Sequence, residues 1–449
     1  MAPALKPVII IALSILSGMK SLDSCTMVLV GKEASRTGTV LLAHNNDLTG
    51  REASLVQFIP SGVHPPGTTI ALKNGCRIPQ AARTRALLMV NCFTGFEEGD
   101  AVAVNDAGVC IAGGVSLKAD RNDRARKLDP LVKTGMSGHI RTIALQRART
   151  ARECVQIIGR HYSRYGIAYP SGVGVADREE IWYLEAGGGH FWAAVRVPDT
   201  AYLAVANGYR IGRIDFNDPA NFITSPRMPD DLVQKGLWSP DEGPFCFRKV
   251  FGGKRRESPR KYYDTRRVWR VQSVLSRSLR LPPHQTDPAL FLEPDRPVSL
   301  SDLKDIMRDR YEGTAFYRCE KERKIGSFST VHSTVIALPG EAAGKNPPVI
   351  WTALSTPLIS PYLPFVPGSY PIPPPYRTAT EQYDSGSAFW TFRKLALLFQ
   401  QQEDRLARHR RRLERFEARI RTPRNNPGRR LARLCRKALG LAREALTRE

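Results

Sequence analysis

The chain has 449 residues, 42% apolar and 24% charged, which excludes a disordered protein and leaves room for one large domain or as many as about three. Its formal charge of +24, carried mostly by arginine, favours anionic surfaces such as acidic envelope polymers, lipid headgroups or nucleic acid. No RNA- or DNA-binding signature accompanies that charge, and generic basicity of an arginine-rich composition is the plainer account.

Residues 1–24 read as a leader. Lys6 supplies a weak basic start, and VIIIALSILSG (8–18) is an apolar stretch of signal-peptide length. It is too short to span a bilayer, which needs about 20 apolar residues. The expectation is a signal peptide or propeptide removed at Ser24–Cys25, with export or an envelope location; the cytoplasm stays open as an alternative. Leu22-Asp23-Ser24-Cys25 also resembles a lipoprotein box weakly, but lipidation would block both the thiol and the amine of the cysteine.

Cleavage there makes Cys25 the first residue, with a thiol and a free α-amine together. A thiol is a good nucleophile only as thiolate, and an α-amine titrating near ~8 can act as its base. TMVLV (26–30) reads as a buried strand, GKEASRTG (31–38) as a turn and TVLLA (39–43) as the return strand. The return carries His44, Asn45, Asn46 and Asp47 back beside Cys25, and Asp47 is expected to approach the amine. The alternative is that Asn45, Asn46 and Asp47 only cap the strand in a turn.

Further along, EASLVQFI (52–59) and ALLMVNC (86–92) read as strands, and 102–115 as a hairpin turning at 105–108. Residues 116–130 read as a polar loop. Residues 137–164 show helical spacing with a break near Ala148–Ala151, and Gly166 ends the second piece. Residues 172–197 give three short strands. Residues 357–376 are proline-rich, 385–420 read as one helix, and 429–449 as a basic amphipathic helix after the breaker PRNNPG (423–428). From residue 401 on there are 16 basic and 6 acidic side chains, a surplus of +10. Binary pattern alone supports mixed α and antiparallel β, an α+β chain.

The chain from Cys25 to about residue 400 resembles the cysteine dipeptidase family of N-terminal nucleophile (Ntn) hydrolases, which includes the secernins. That family opens with Cys-Thr-Thr-x-x-x-Gly, a turn and Ala-Arg-Asn-x-Asp; here stand CTMVLVG and Ala43-His44-Asn45-Asn46-Asp47. NDAGVCIAGG (105–114), DPLVKTG (129–135), 147–166, 180–212, HST (332–334) and 351–368 follow in the family's order. The resemblance implies a four-layer αββα sandwich over 25–400; the charge count and helical spacing beyond it read as a basic helical extension over 401–449. It implies Cys25 as nucleophile, Asp47 beside its amine, Asn207 as oxyanion donor and Arg270 of Arg267-x-x-Arg270 as a site arginine. His44, Asn45 and His332 become candidates for the substrate pocket, with His44 replacing the family's usual arginine. An Asn-Gly turn at 207–208 and a surface salt bridge at Arg270 are the competing readings.

Eight cysteines leave seven once Cys25 is reserved, which argues against an extensive disulfide framework. No CxxC and no His/Cys cluster at zinc spacing is present, so no metal and no cofactor is expected. A papain-type Cys–His pairing lacks its usual sequence surroundings, and His284, between prolines, reads as a loop residue. The expected activity is hydrolysis of dipeptides or small amides through a thioester. The alternatives are a secernin-like scaffold without peptidase activity and an Ntn acylase. The basic tail is expected to hold an anionic membrane or polymer surface.

Overall fold

The first hairpin forms where its two apolar runs place it, as strands Thr26–Val30 and Val40–Asp47. The second strand continues through His44-Asn45-Asn46-Asp47, so these residues are not a turn capping a shorter strand. The computed structural model describes residues 25–92, 102–254, 262–340, 346–368, 371–420 and 427–447. The leader reading at 1–24, and most of the breaker at 423–428, lie outside the described residues.

The hairpin sits inside a seven-stranded antiparallel sheet. Thr26–Val30 pairs with Tyr202–Val205, and Val40–Asp47 pairs with Thr330–Leu338. An eight-stranded antiparallel sheet runs from Phe222–Thr224 through Phe191–Val197, Ile181–Gly188, Ser171–Ala176, Cys110–Ser116, Val102–Asn105 and Leu87–Cys92 to Ser54–Ile59. Apolar residues of both sheets share one core, with Val28, Val30, Val90, Val104 and Ala112 among them. The sheets approach closely at glycines. A Cβ on Gly174 would stand 2.9 Å from the Met27 sulfur, and one on Gly113 would stand 2.7 Å from the His44 ring.

Helices His139–Leu145 and Ala151–Tyr165 pack on the eight-stranded sheet. The break expected near Ala148–Ala151 is present, where Thr150 caps the second helix by accepting from the Glu153 N–H. Gly166, with φ +80°, ends it. Gly159 lets this helix approach Trp192: an added Cβ would lie 2.1 Å from the indole. Gly159→Ala is expected to cost about 1–3 kcal/mol through this overlap. A thermal melt matching the unsubstituted protein would show that the ring yields freely.

Thr265–Leu275, Leu300–Met307, Ala388–Phe399 and Pro427–Thr447 pack against strands of the seven-stranded sheet. Two expectations change here. The polar stretch 116–130 contains a short helix, Asp123–Leu128, capped by Asn122. The single helix expected over 385–420 is two, Ala388–Phe399 and Glu403–Glu417.

The described residues 401–420 and 427–447 pack on the body of the protein. Glu417 takes two bonds from Arg308, His409 Nε2 lies 2.8 Å from the Ile359 carbonyl, and Arg410 pairs with Glu312 at 2.8 Å. Pro427–Thr447 buries Leu431, Cys435, Ala438, Leu439 and Ala442 in the shared core. Its arginines are excluded from that face because an unpaired charge does not desolvate cheaply. Truncation after Ile420 is therefore expected to destabilise the protein, on the order of 5 kcal/mol for the apolar surface uncovered. Equal melting temperatures for full-length and truncated chains would contradict this.

Candidate active site

Cys25 lies at the start of the first strand and is 4% exposed. The register Thr26↔Asn45 puts Cys25 opposite Asn46, and directly paired residues share a face. The Cys25 thiol accordingly meets the Asn46 side-chain oxygen at 3.6 Å, while Asn46 Nδ2 lies 3.8 Å from the Cys92 sulfur of the other sheet.

The strongest grip on Cys25 comes from Arg267, which is fully buried on helix Thr265–Leu275. Its Nη1 donates to the Cys25 carbonyl at 2.8 Å and to the Thr26 hydroxyl at 3.1 Å. Its Nη2 donates to Asn207 Oδ1 at 3.1 Å and to Asp264 Oδ1 at 2.8 Å. The planar guanidinium fork suits this task, since it fixes several acceptors in one geometry while Asp264 balances its charge. One buried cation thus ties Cys25, Thr26 and Asn207 together.

Asn207 follows strand Tyr202–Val205, the neighbour of the first strand. The turn after it is held by buried carboxylates. Asp120 accepts from the Tyr209 N–H at 3.0 Å, and Glu185 accepts from the N–H groups of Arg210 and Ile211 at 2.6 and 3.1 Å. Burial raises the Glu185 pKa to about 7 against the pull of those donors. Asn207 Nδ2 donates to the Ser116 carbonyl at 3.1 Å, which uses one of its two hydrogens.

Arg270 is elsewhere. One turn further along the helix, it chelates Asp309 at 2.7–2.9 Å and donates to the Glu312 carbonyl at 3.0 Å. The inward position of the Arg-x-x-Arg pair is Arg267, which shares a stripe with Val268, Val271 and Leu275. The helical spacing of Arg267 with Val268, Val271 and Leu275 is the signal in the sequence that separates it from Arg270.

Asp47 is fully buried, and as the next residue in the strand it takes the face opposite Asn46. It accepts from the Thr330 hydroxyl and lies 3.7 Å from Arg323. Burial raises its pKa, and Arg323, Thr330 and Arg267 pull it back in part. Asn46, one residue earlier, contacts the thiol.

The expected pocket residues are all fully buried and internally bonded. Asn45 donates to the carbonyls of Met307 and Ile325 at 2.9 and 2.8 Å, which fixes helix Leu300–Met307 to the sheet. His44 Nε2 reaches the Gly114 carbonyl at 3.2 Å, bridging the two sheets. His332, paired across from Asn46, bonds Ser54 through Nδ1 at 3.0 Å. Through these contacts the three residues tie their strands to the neighbouring helix and to the second sheet.

Burial, and secondarily the charge of His44, pushes the His332 pKa down to about 3. An unfolded histidine titrates near ~6.5, so below that pH the unfolded chain binds a proton that the folded chain refuses. Stability carried by neutral His332 is complete above about pH 6.5 and falls as pH drops toward 3. His332→Asn should therefore lose less stability than the unsubstituted protein between neutral and mildly acidic melts. Parallel pH profiles would contradict the assignment.

Among the described residues, no group of three or more His, Cys, Asp or Glu could hold a metal ion, and no helix is long and apolar enough to cross a membrane. Cys110 and Cys154 are fully buried, and burial raises both thiols, as befits small core residues.

A family model described as Peptidase family C69 matches residues 24–415. A probable dipeptidase of Latilactobacillus sakei is 27% identical over 390 residues, covering 84% of this chain and 81% of its own. A probable dipeptidase of Salmonella dublin is 30% identical over 364 residues, covering 79% of this chain and 83% of its own. Among solved structures, a mutant of the conjugated bile acid hydrolase from Clostridium perfringens aligns over 74% of this chain and 89% of its own. Its TM-score is 0.35 at 11% identity, too slight a likeness to bear on the fold.

Proposed function

The chain belongs to peptidase family C69 and is a peptidase, and from that premise we propose that it is a dipeptidase whose nucleophile is the thiolate of an N-terminal Cys25. The observation that carries this reading is the buried Arg267, which holds the Cys25 carbonyl, the Thr26 hydroxyl and the Asn207 side chain at once. A structural arginine needs only its counterion; this one adds three bonds that align the strand start with a side-chain amide.

The reaction follows from these placements. Removal of residues 1–24 frees the α-amine, which takes the thiol proton. The thiolate adds to the scissile carbonyl. The remaining hydrogen on Asn207 Nδ2 is the donor available to the resulting oxyanion. The ammonium returns its proton to the leaving amine, and a thioester remains. Water, deprotonated by the same amine, then releases the second amino acid and restores the thiol. Asp47, within electrostatic reach of Arg267, is assigned a positioning role at the strand end rather than contact with the thiol.

In this reading the architecture is the four-layer αββα sandwich of Ntn hydrolases. Two large antiparallel sheets that share a core, each with helices packed on it, support it. The leader is assigned to export into the envelope. The arginines left exposed on the last two helices, including Arg408, Arg411, Arg415, Arg433 and Arg436, are assigned to anionic polymers or lipids there.

The direct test is release of free amino acids from a dipeptide such as Ala-Ala. Turnover is expected to vanish on alkylation with iodoacetamide and to be indifferent to EDTA. Activity that EDTA abolishes and zinc restores would overturn the thiol mechanism.

A further inference from the structure

A second cleft, of about 660 Å³, lies between helix Leu300–Met307, Trp351 of strand Val349–Leu354 and helix Glu403–Glu417. Its lining shares no residue with the Cys25, Arg267 and Asn207 cluster. That volume is in the range of small-molecule sites.

Lys304 lines the cleft. It is only 8% exposed, and its ammonium stands 3.7 Å from the centre of the Trp351 ring and 5.5 Å from that of Tyr362. Among the described residues no hydrogen bond or ion pair reaches this ammonium. The other cations of the lining are already matched: Arg308 is held bidentately by Glu417, and Arg410 pairs with Glu312. Aromatic faces attract a cation but do not neutralise it, and the carboxylates of Glu417 and Asp305 act on Lys304 only from a distance, so this buried charge has no anion in direct contact. Burial lowers its pKa only to about 8, which leaves it mostly protonated near neutral pH. The same lining carries Asp305 and Glu414, both exposed and neither in an ion pair among the described residues. One buried ammonium inside and two unpaired carboxylates toward solvent form a pattern with opposite charges at its two ends.

We propose that this cleft binds a free α-amino acid as its zwitterion, with the carboxylate on Lys304 and the ammonium toward Asp305 and Glu414. The ligand supplies the missing anion for Lys304, and the aromatic pair beneath it keeps water away from that contact. Neither charged half alone satisfies both ends. The site is independent of the chemistry at Cys25.

The experiment is calorimetric titration of the full-length protein, with Cys25 alkylated to block turnover, using L-leucine, 4-methylpentanoate and 3-methylbutylamine. The two analogues retain only the carboxylate or only the amine. Leucine is expected to bind one equivalent, and each analogue at least about tenfold more weakly. Lys304→Met removes the charge, keeps an apolar stem and should fold, because an apolar isostere of a buried cation is tolerated. It should weaken leucine binding by about tenfold or more. Asp305→Asn combined with Glu414→Gln alters only exposed groups and should weaken leucine while leaving 4-methylpentanoate unchanged. Unaltered leucine affinity in both variants, equal affinity for leucine and 4-methylpentanoate, or no binding at millimolar leucine would each overturn the proposal.

Discussion

Cys25→Ser is expected to lower dipeptide turnover by about a thousandfold or more while leaving the fold intact. The two side chains are nearly isosteric, and the site is already packed, with Cys25 4% exposed and Asn46 3.6 Å away. A hydroxyl is far less acidic than a thiol, so the α-amine cannot generate the oxyanion of serine near neutral pH to any useful extent. Steady-state kinetics should show the loss in kcat. A variant with more than a tenth of normal turnover, in protein shown by mass to carry serine, would remove Cys25 from the chemistry.

Arg267→Met is expected to have the larger effect on the protein as a whole. Arg267 is fully buried, and its loss takes from Asp264, itself only 7% exposed, the guanidinium that pairs with it at 2.8 Å. Breaking a buried pair by removing one partner costs about 3–5 kcal/mol. The same change releases the Cys25 carbonyl and Asn207, so the fraction that folds should be nearly inactive. Arg270→Met provides the contrast. It breaks the partly buried pair with Asp309 but touches neither Cys25 nor Asn207, so kcat per folded molecule should stay within a few fold. Thermal melts with active-site titration separate the two effects. Equal losses of kcat in the two variants would show that the grip on Cys25 is not what matters.

The contrast between these neighbouring arginines shows what a sequence reading reaches. Runs such as TMVLV and TVLLA, the break near Ala148–Ala151 and Gly166 announce themselves through local physics, and the hairpin and the paired helices stand where they point. The ordered family motifs carry the C69 assignment. Finer choices turn on register. Which side chain of the return strand meets the thiol is decided by the pairing Thr26↔Asn45, which selects Asn46, and in a strand one residue reverses the face. Turn composition at 31–38 does not specify that register; the pairing of the whole strand does. Arg267 was accessible through its stripe with Val271 and Leu275. His44, Asn45 and His332 were not, because a polar residue in a strand looks the same whether it lines a pocket or bridges two sheets. The last helices misled for another reason. Their charge dominates composition, while docking depends on the spacing of Leu431, Cys435, Ala438 and Ala442 along one face.

Intact-mass and N-terminal analysis of the catalytically active protein tests the central claim most directly. The account predicts that all active molecules begin at Cys25 and that one iodoacetamide adduct, mapped to that cysteine, abolishes turnover. Full dipeptidase activity in a chain that still carries residues 1–24 would contradict it, since the α-amine proposed as the base would then be locked in a peptide bond.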